Sequence, residues 1–208
     1  MVRISEVFAS QQFEGREVGR TTIFVRFLVC NMSPRCDWCD VKNYQGKEMS
    51  IKEIVNKIKE WKNIRHVTFT GGEPTLFWKN MIEIMKHLRG YKFAIETNGL
   101  IPSNPTFFTT MSVSPKKQNI NPETIRFYKD YENVIFKFVV EGEKSYNTWR
   151  DFVKLHGIDK EKVYMMPEGR DPKDLIVSSK WLAKKCINDG FNMSTRVQYL
   201  LYGRKKSV

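Results

Sequence analysis

Cysteine and histidine are scarce in this chain, with four and three copies in 208 residues. The three histidines, His66, His87 and His156, fall in a strand start, a helix and a helix end, and read as structural or surface groups. No run of 18 or more apolar residues occurs, which excludes a conventional transmembrane helix. The first residues, Met1-Val2-Arg3-Ile4-Ser5-Glu6, lack the apolar stretch of a signal peptide. The expected location is therefore the cytoplasm, where thiols stay reduced. Internal repeats, low-complexity segments and Pro/Ser-rich linkers are missing too, so 1–208 is expected to form a single domain. Acidic residues are in deficit: Asp+Glu 23 against Lys+Arg 35 gives +12. The basic residues are dispersed, with one dense run at Arg204-Lys205-Lys206, and read as solvated helix faces; clustered phosphate contacts, as a nucleic-acid partner needs, are not expected.

Against that scarcity stands one concentration. Three of the four cysteines, Cys30, Cys36 and Cys39, lie within the stretch Cys30-Asn31-Met32-Ser33-Pro34-Arg35-Cys36-Asp37-Trp38-Cys39, directly after the apolar run Ile23 to Val29. Thiolates this close suit a metal or cluster loop hung from a strand end better than disulfides. Three are too few for a closed structural zinc site, which takes four protein ligands, and suit a centre with one open position. The fourth, Cys186, follows Trp181-Leu182-Ala183-Lys184-Lys185 in a helix-like run and reads as a core thiol.

Along the chain, strand-like runs at 22–29, 65–70, 92–96, 108–113, 134–140, 162–166 and 193–201 alternate with helix-like runs near 50–62, 76–89, 122–131, 145–156 and 172–188. Ser50 followed by Glu53 is a capping-box signal, and Ile51, Ile54, Val55 and Ile58 share one helical face. Gly90 is a natural residue to follow the second helix. Alternating strands and helices predict a parallel sheet with right-handed crossovers, whose ligands sit at the carboxyl ends of the strands. Small and polar residues collect at those ends: the cysteine loop, Gly71-Gly72-Glu73-Pro74, Thr97-Asn98-Gly99, Ser114-Pro115-Lys116 and Pro167-Glu168-Gly169. A Gly-Gly pair permits close backbone approach to a ligand, Glu73 can receive an amino group, and Lys116 can pair with a carboxylate. Arg26, inside an apolar strand, needs a carboxylate partner, either a ligand's or an acid such as Glu14.

Three close cysteines after one strand and Gly-Gly-Glu-Pro after the next resemble the radical S-adenosylmethionine (SAM) enzymes, on an incomplete TIM-like (β/α) barrel of about six parallel strands. Within them, a narrower resemblance covers most of the chain. Glu6 to Gly15, Phe24 to Phe27, Cys36-Asp37-Trp38-Cys39-Asp40, Thr70 to Pro74, Glu96 to Gly99, Ser114 to Lys116, Lys137 to Val140 and Tyr199 to Gly203 follow, in order, the pattern of the 7-carboxy-7-deazaguanine synthases. The resemblance implies a lyase that converts 6-carboxy-5,6,7,8-tetrahydropterin to 7-carboxy-7-deazaguanine with loss of ammonia, for deazaguanine nucleoside synthesis. It implies a [4Fe-4S] cluster on Cys30, Cys36 and Cys39. SAM would lie against Asp37, Trp38, Gly71, Gly72, Glu73, Asn98, Ser114 and Lys116. The pterin would meet Gln12, Glu14, Arg26, Thr70 and the C-terminal Val208. A flavodoxin or ferredoxin as electron donor and a homodimer are implied in the same way.

Two departures from that pattern stand out. Five residues separate Cys30 from Cys36 where the family usually has three, a change that loop-closure entropy tolerates. Val41 replaces the family's usual Mg²⁺-binding Thr and has no oxygen donor in its side chain, leaving Mg²⁺ an open expectation. Two rivals remain: a glycyl-radical-enzyme activase, which shares the cysteine loop and Gly-Gly-Glu but has no use for a pterin clamp, and a zinc-bound RNA-binding protein, favoured by charge alone.

Overall fold

The computed structural model describes residues 1–37, 39, 45–169, 171–203 and 205. Nine strands form one sheet: β1 (Val2–Gln11), β2 (Thr21–Phe27), β3 (Lys47–Met49), β4 (His66–Gly71), β5 (Lys92–Thr97), β6 (Thr110–Val113), β7 (Val134–Val140), β8 (Val163–Pro167) and β9 (Asn192–Met193). Their order is β3-β1-β2-β4-β5-β6-β7-β8-β9. From β2 onward every neighbouring pair is parallel, while β1 runs antiparallel to both β2 and β3. The sheet stays open, as an incomplete barrel does. The helices are α1 (Ile51–Lys59), α2 (Trp78–Lys86), α3 (Pro122–Tyr128), α4 (Glu143–His156), α5 (Pro172–Asp189) and α6 (Val197–Tyr202).

Period-two alternation gives the sheet two unlike faces. On one, Val25, Phe27, Val67, Phe69, Ile95, Met111, Phe136, Phe138 and Met165 join Ile54, Ile58, Met81, Ile84, Trp149 and Leu182 from the helices in one buried core. Aromatic pairs knit it: Phe138 lies 4.8 Å from Trp149 and Phe27 4.9 Å from Phe77, centroid to centroid. The other face carries Thr22, Arg26, His66, Thr68, Thr70, Glu96, Thr110, Ser112 and Lys137, and is largely polar. A parallel strand covered on both sides is normally apolar throughout. Here the second face encloses something polar.

Local signals act where expected. Ser50 Oγ accepts from Glu53 N (3.2 Å) while Glu53 Oε2 accepts from Ser50 N (2.7 Å), closing the capping box on α1. α2 begins later than its periodicity suggests, because Pro74–Phe77 form a 3-10 turn capped by the Glu73 carboxylate. β1 and β3 were not expected. β1 alternates well enough, with Val2 and Ile4 buried, but pairs antiparallel outside the β/α rhythm, and β3 has three residues. The strand expected over 193–201 is corrected to a two-residue strand followed by helix α6. Two residues pair with β8; Ser194 then turns the chain, its hydroxyl accepting from Gly15 N at 2.7 Å. Val197 to Tyr202 form a contiguous run with Leu200, Leu201 and Tyr202 exposed, rather than an alternation with one buried face.

Gly71 and Gly72 join β4 to the segment that leads into the cysteine loop. Gly72 N donates to Phe27 O (2.7 Å) and Glu73 N to Val29 O (2.8 Å), extending the β2–β4 pairing past the end of β2. A Cβ on Gly71 would sit 2.2 Å from Phe27 O, and one on Gly72 2.0 Å from Val29 O. The close approach these glycines permit is to the neighbouring backbone. Gly72→Ala should therefore destabilise the cluster-free chain by at least about 2 kcal/mol through overpacking against backbone, measured by urea unfolding. Gly90, whose added Cβ meets nothing within 4 Å, supplies the control, since Gly90→Ala strains only a φ of 82°. Equal losses in the two variants would contradict the backbone seam.

Candidate active site

At the strand-end rim the cysteine loop is tied down from two sides. Besides the Gly72 seam, Asn98 Nδ2 donates to Asn31 Oδ1 at 2.7 Å, fastening the long Cys30–Cys36 segment to the end of β5. Glu73, 1% exposed, joins these parts. Its Oε1 accepts from Thr75 N (3.0 Å), Thr75 Oγ1 (2.7 Å) and Thr97 Oγ1 (2.7 Å), and its Oε2 from Asn98 N (2.7 Å). A carboxylate offers about four lone-pair sites, so this side chain is engaged in holding the rim together. Ser114 Oγ accepts from Lys116 Nζ at 2.7 Å on the next loop.

Cys30, Cys36 and Cys39 are free thiols, Cys36 buried and the others half-buried. Burial pushes the Cys30 and Cys36 thiols up, and the neighbouring thiols push the same way, so the three sit within one another's electrostatic reach. Lys116 partly offsets this at Cys36. Burial in turn depresses Lys116 to about 8. Among the described residues no three His, Cys, Asp or Glu side chains converge on a single ion. Three neighbouring thiols fit an iron–sulfur cluster, whose ligands are spread over several metal atoms, and deprotonation accompanies its binding. Cys186 packs in the core, its thiol pushed up to about 12 by burial and by Asp189.

Deeper in the concave face lies a second feature. Lys137, its side chain 4% exposed on β7, donates to Glu14 Oε2 (2.7 Å) and Glu96 Oε2 (2.9 Å). Gln12 Nε2 donates to Glu96 Oε1 (2.9 Å), and Gln198 Nε2 to Glu14 Oε1 (2.8 Å). Arg196 Nε lies 3.4 Å from Glu14 Oε1. Burial alone would raise the Glu14 carboxyl, but Lys137 and Arg196 outweigh it and hold Glu14 at about 2. Burial would likewise lower Lys137, yet Glu14 and Glu96 raise it above the ordinary lysine value. Gln12, Glu14, Thr68, Glu96, Thr110 and Ser112 are among the lining of one cavity here.

Near β1 and β2, Arg26 Nε pairs with Glu6 Oε1 at 2.6 Å, the guanidinium standing 5.5 Å from the Phe8 ring centre. Thr70 is the register partner of Arg26 on β4. His66 bonds Thr22 and Thr109 in a buried setting, as a structural residue should, and His87 and His156 lie at the end of α2 and in α4.

The fold thus gathers Cys30, Cys36, Cys39, Gly71, Gly72, Glu73, Asn98, Ser114 and Lys116 at the rim, and Gln12 and Glu14 in the interior, with Arg26 and Thr70 on adjoining strands. Asp37 is exposed in a turn of the cysteine loop. Trp38, Val41 and Val208 lie outside the described residues. Sequence reasoning did not single out Glu96, Lys137, Arg196 or Gln198. The signal for Lys137 was legible: a lysine within Val134-Ile135-Phe136-Lys137-Phe138-Val139-Val140 demands a buried partner as Arg26 does.

Residues 25–155 match the family model described as the Radical SAM superfamily. The chain is 31% identical to the 7-carboxy-7-deazaguanine synthase of Pyrobaculum aerophilum, over 99% of this chain and 96% of that one. It is 29% identical to the 7-carboxy-7-deazaguanine synthase of Hyperthermus butylicus, over 97% of this chain and 93% of that one. Among solved structures, QueE from Escherichia coli superposes with a TM-score of 0.71 at 20% identity, covering 93% of both chains. Streptococcus suis SuiB bound to S-adenosylmethionine gives 0.56 at 15% identity, over 81% of this chain and 48% of that one. These two likenesses concern the fold.

Replacing the buried ammonium tests the interior cluster. Glu14, held near 2, contributes stability that is present above the ordinary carboxyl value and lost as pH falls through about 2. In Lys137→Met, burial acts on Glu14 with less opposition, and a carboxyl raised above its unfolded value costs stability as pH rises. The variant should lose about 3–5 kcal/mol at neutral pH, with the gap from wild type narrowing toward pH 4. Urea unfolding across that range checks it, and a pH-independent gap would contradict it.

Proposed function

The chain belongs to the radical SAM superfamily and, within it, to the 7-carboxy-7-deazaguanine synthases, and from that premise we propose how its residues divide the work of that reaction. The enzyme is a radical SAM lyase that carries a [4Fe-4S] cluster and SAM, and it acts on a small molecule. We take that substrate to be 6-carboxy-5,6,7,8-tetrahydropterin, converted to 7-carboxy-7-deazaguanine with release of ammonia. The observation that carries the reading is the placement of three neighbouring free thiols at the rim above a buried carboxylate–lysine interior.

When bound, cluster and SAM supply the one-electron reduction and the hydrogen-abstracting carbon radical. Cys30, Cys36 and Cys39 hold the cluster on a loop fixed by the Gly72 seam and by Asn98. Gly71, Gly72 and Glu73 receive the methionyl amino end, with Glu73 setting the shape of the turn. Asp37, Asn98, Ser114 and Lys116 would complete the SAM side; Trp38, which the resemblance assigns to the adenine, lies outside the described residues. Arg26 clamps the pterin carboxylate in place of, or alongside, Glu6, because a guanidinium fork matches a carboxylate bidentately. Gln12, Glu14 and Thr70 would position the ring; Val208, which the resemblance adds to them, lies outside the described residues. Glu14 stays ionised throughout the neutral range and can accept ring N–H groups without changing its protonation state.

The Val41 side chain carries no oxygen donor, so no step is assigned to a Mg²⁺ ion. Among the described residues no helix is long and apolar enough to cross a membrane. A cytoplasmic setting, a flavodoxin or ferredoxin donor, a homodimer and a single domain over 1–208 complete the proposal.

Anaerobic reconstitution with iron and sulfide tests it. The expected product is a brown four-iron protein whose SAM cleavage depends on carboxytetrahydropterin and yields the deazaguanine acid. A colourless protein holding one zinc would sink the reading, and SAM cleavage that responds only to a protein substrate would favour the activase.

A further inference from the structure

Every charged group of the interior cluster finds a partner, but among the described residues two of its neutral polar atoms, Ser112 Oγ and Gln198 Oε1, do not. Ser112, on β6 in register with Glu96, is 6% exposed and lines the same cavity as Gln12, Glu14 and Glu96. Its Oγ is buried without a hydrogen-bond partner among the described residues. A buried hydroxyl without a partner is destabilising relative to Ala, so a strand whose role were purely structural would gain nothing from it. Gln198 repeats the pattern. Its Nε2 must face Glu14 Oε1, which accepts only, and this orientation leaves Oε1 buried and unpartnered. The two remaining orphans, Ser5 Oγ and Ser145 Oγ, lie on β1 and in the first turn of α4.

We propose that Ser112 Oγ, seconded by Gln198 Oε1, is a specificity contact that reads the hydrogen-bonding edge of the substrate ring. A hydroxyl both donates and accepts, whereas an amide carbonyl only accepts, so the matching edge must carry N–H donors beside an acceptor. The 2-amino-4-oxo pyrimidine edge of a reduced pterin has that character. Glu14 and Glu96 supply the charged acceptors around it; Ser112 adds a neutral group that pairs fully only when the ring is bound. This inference rests on the functional reading above.

Ser112→Ala and Ser112→Thr, reconstituted with the cluster and SAM, are compared with wild type in turnover of carboxytetrahydropterin and in binding of 6-carboxypterin, a fluorescent oxidised analogue. Ser112→Ala should raise KM and the analogue Kd by about 3- to 10-fold, the worth of one hydrogen bond. Its kcat should stay within about twofold, because the contact positions the ring without touching the reacting carbon. Its cluster-free form should melt no lower than wild type, since an orphan hydroxyl has been removed. Ser112→Thr, which restores the hydroxyl, should recover most of the affinity. An unchanged KM in Ser112→Ala, or a raised KM accompanied by a lowered melting point, overturns the inference. Wild-type protein that neither binds the analogue nor turns over the pterin overturns the functional reading, and this inference with it.

Discussion

The structure depends on one buried ammonium. Lys137 sits between Glu14 and Glu96 at 2.7 and 2.9 Å, inside a sheet whose opposite face is apolar. An unpaired charge there would be costly, and so would either carboxylate alone. Together they hold in register segments that are remote in sequence: the turn after β1, the end of β5, the middle of β7 and, through Arg196 and Gln198, the last helix. The Arg26–Glu6 pair applies the same logic to β1 and β2. A concave face lined this way is already organised for a polar, hydrogen-bonding heterocycle. The preorganisation that substrate binding needs is built in as ion pairs made during folding.

Above that face, the reactive end of the site is positioned first by backbone. The cysteine loop inherits its place from the β2–β4 seam, which exists because Gly71 and Gly72 bring no Cβ against Phe27 O and Val29 O. Glu73 then ties the ends of β4 and β5 together through two of its four accepted hydrogen bonds, those from Thr97 Oγ1 and Asn98 N. The glycines and the glutamate thus have a structural duty besides any contact with SAM. The extra length between Cys30 and Cys36 is absorbed locally, by the Asn31–Asn98 bond.

What could be read from the residues was whatever announces itself locally. Strand-like runs alternating with helix-like ones, the Ser50–Glu53 box and three cysteines in ten residues each carry their own physical signal, and the parallel sheet, α1 and the rim followed from them. β1 was missed because its partner, β2, adds it antiparallel at the side of the β/α series, a choice no local pattern reveals. The strand expected over 193–201 stops after Met193 because Ser194 is recruited by Gly15, a long-range contact. Glu96 and Lys137 were read only as parts of motifs, because their pairing appears only when β5 and β7 are brought together in one sheet. The clusters that define the interior are tertiary facts.

Glu14 and Lys137 act as one unit. A double-mutant cycle on the cluster-free chain measures this most directly, with unfolding free energies for wild type, Glu14→Gln, Lys137→Met and the double variant at neutral pH. Each single change takes one counter-charge from its partner, leaving Lys137 with Glu96 alone or Glu14 with Arg196, and the double change removes both charges. The double variant should therefore cost less than the sum of the singles by about 2 kcal/mol or more. Additivity within about 0.5 kcal/mol would mean the two charges are independent, and would contradict it.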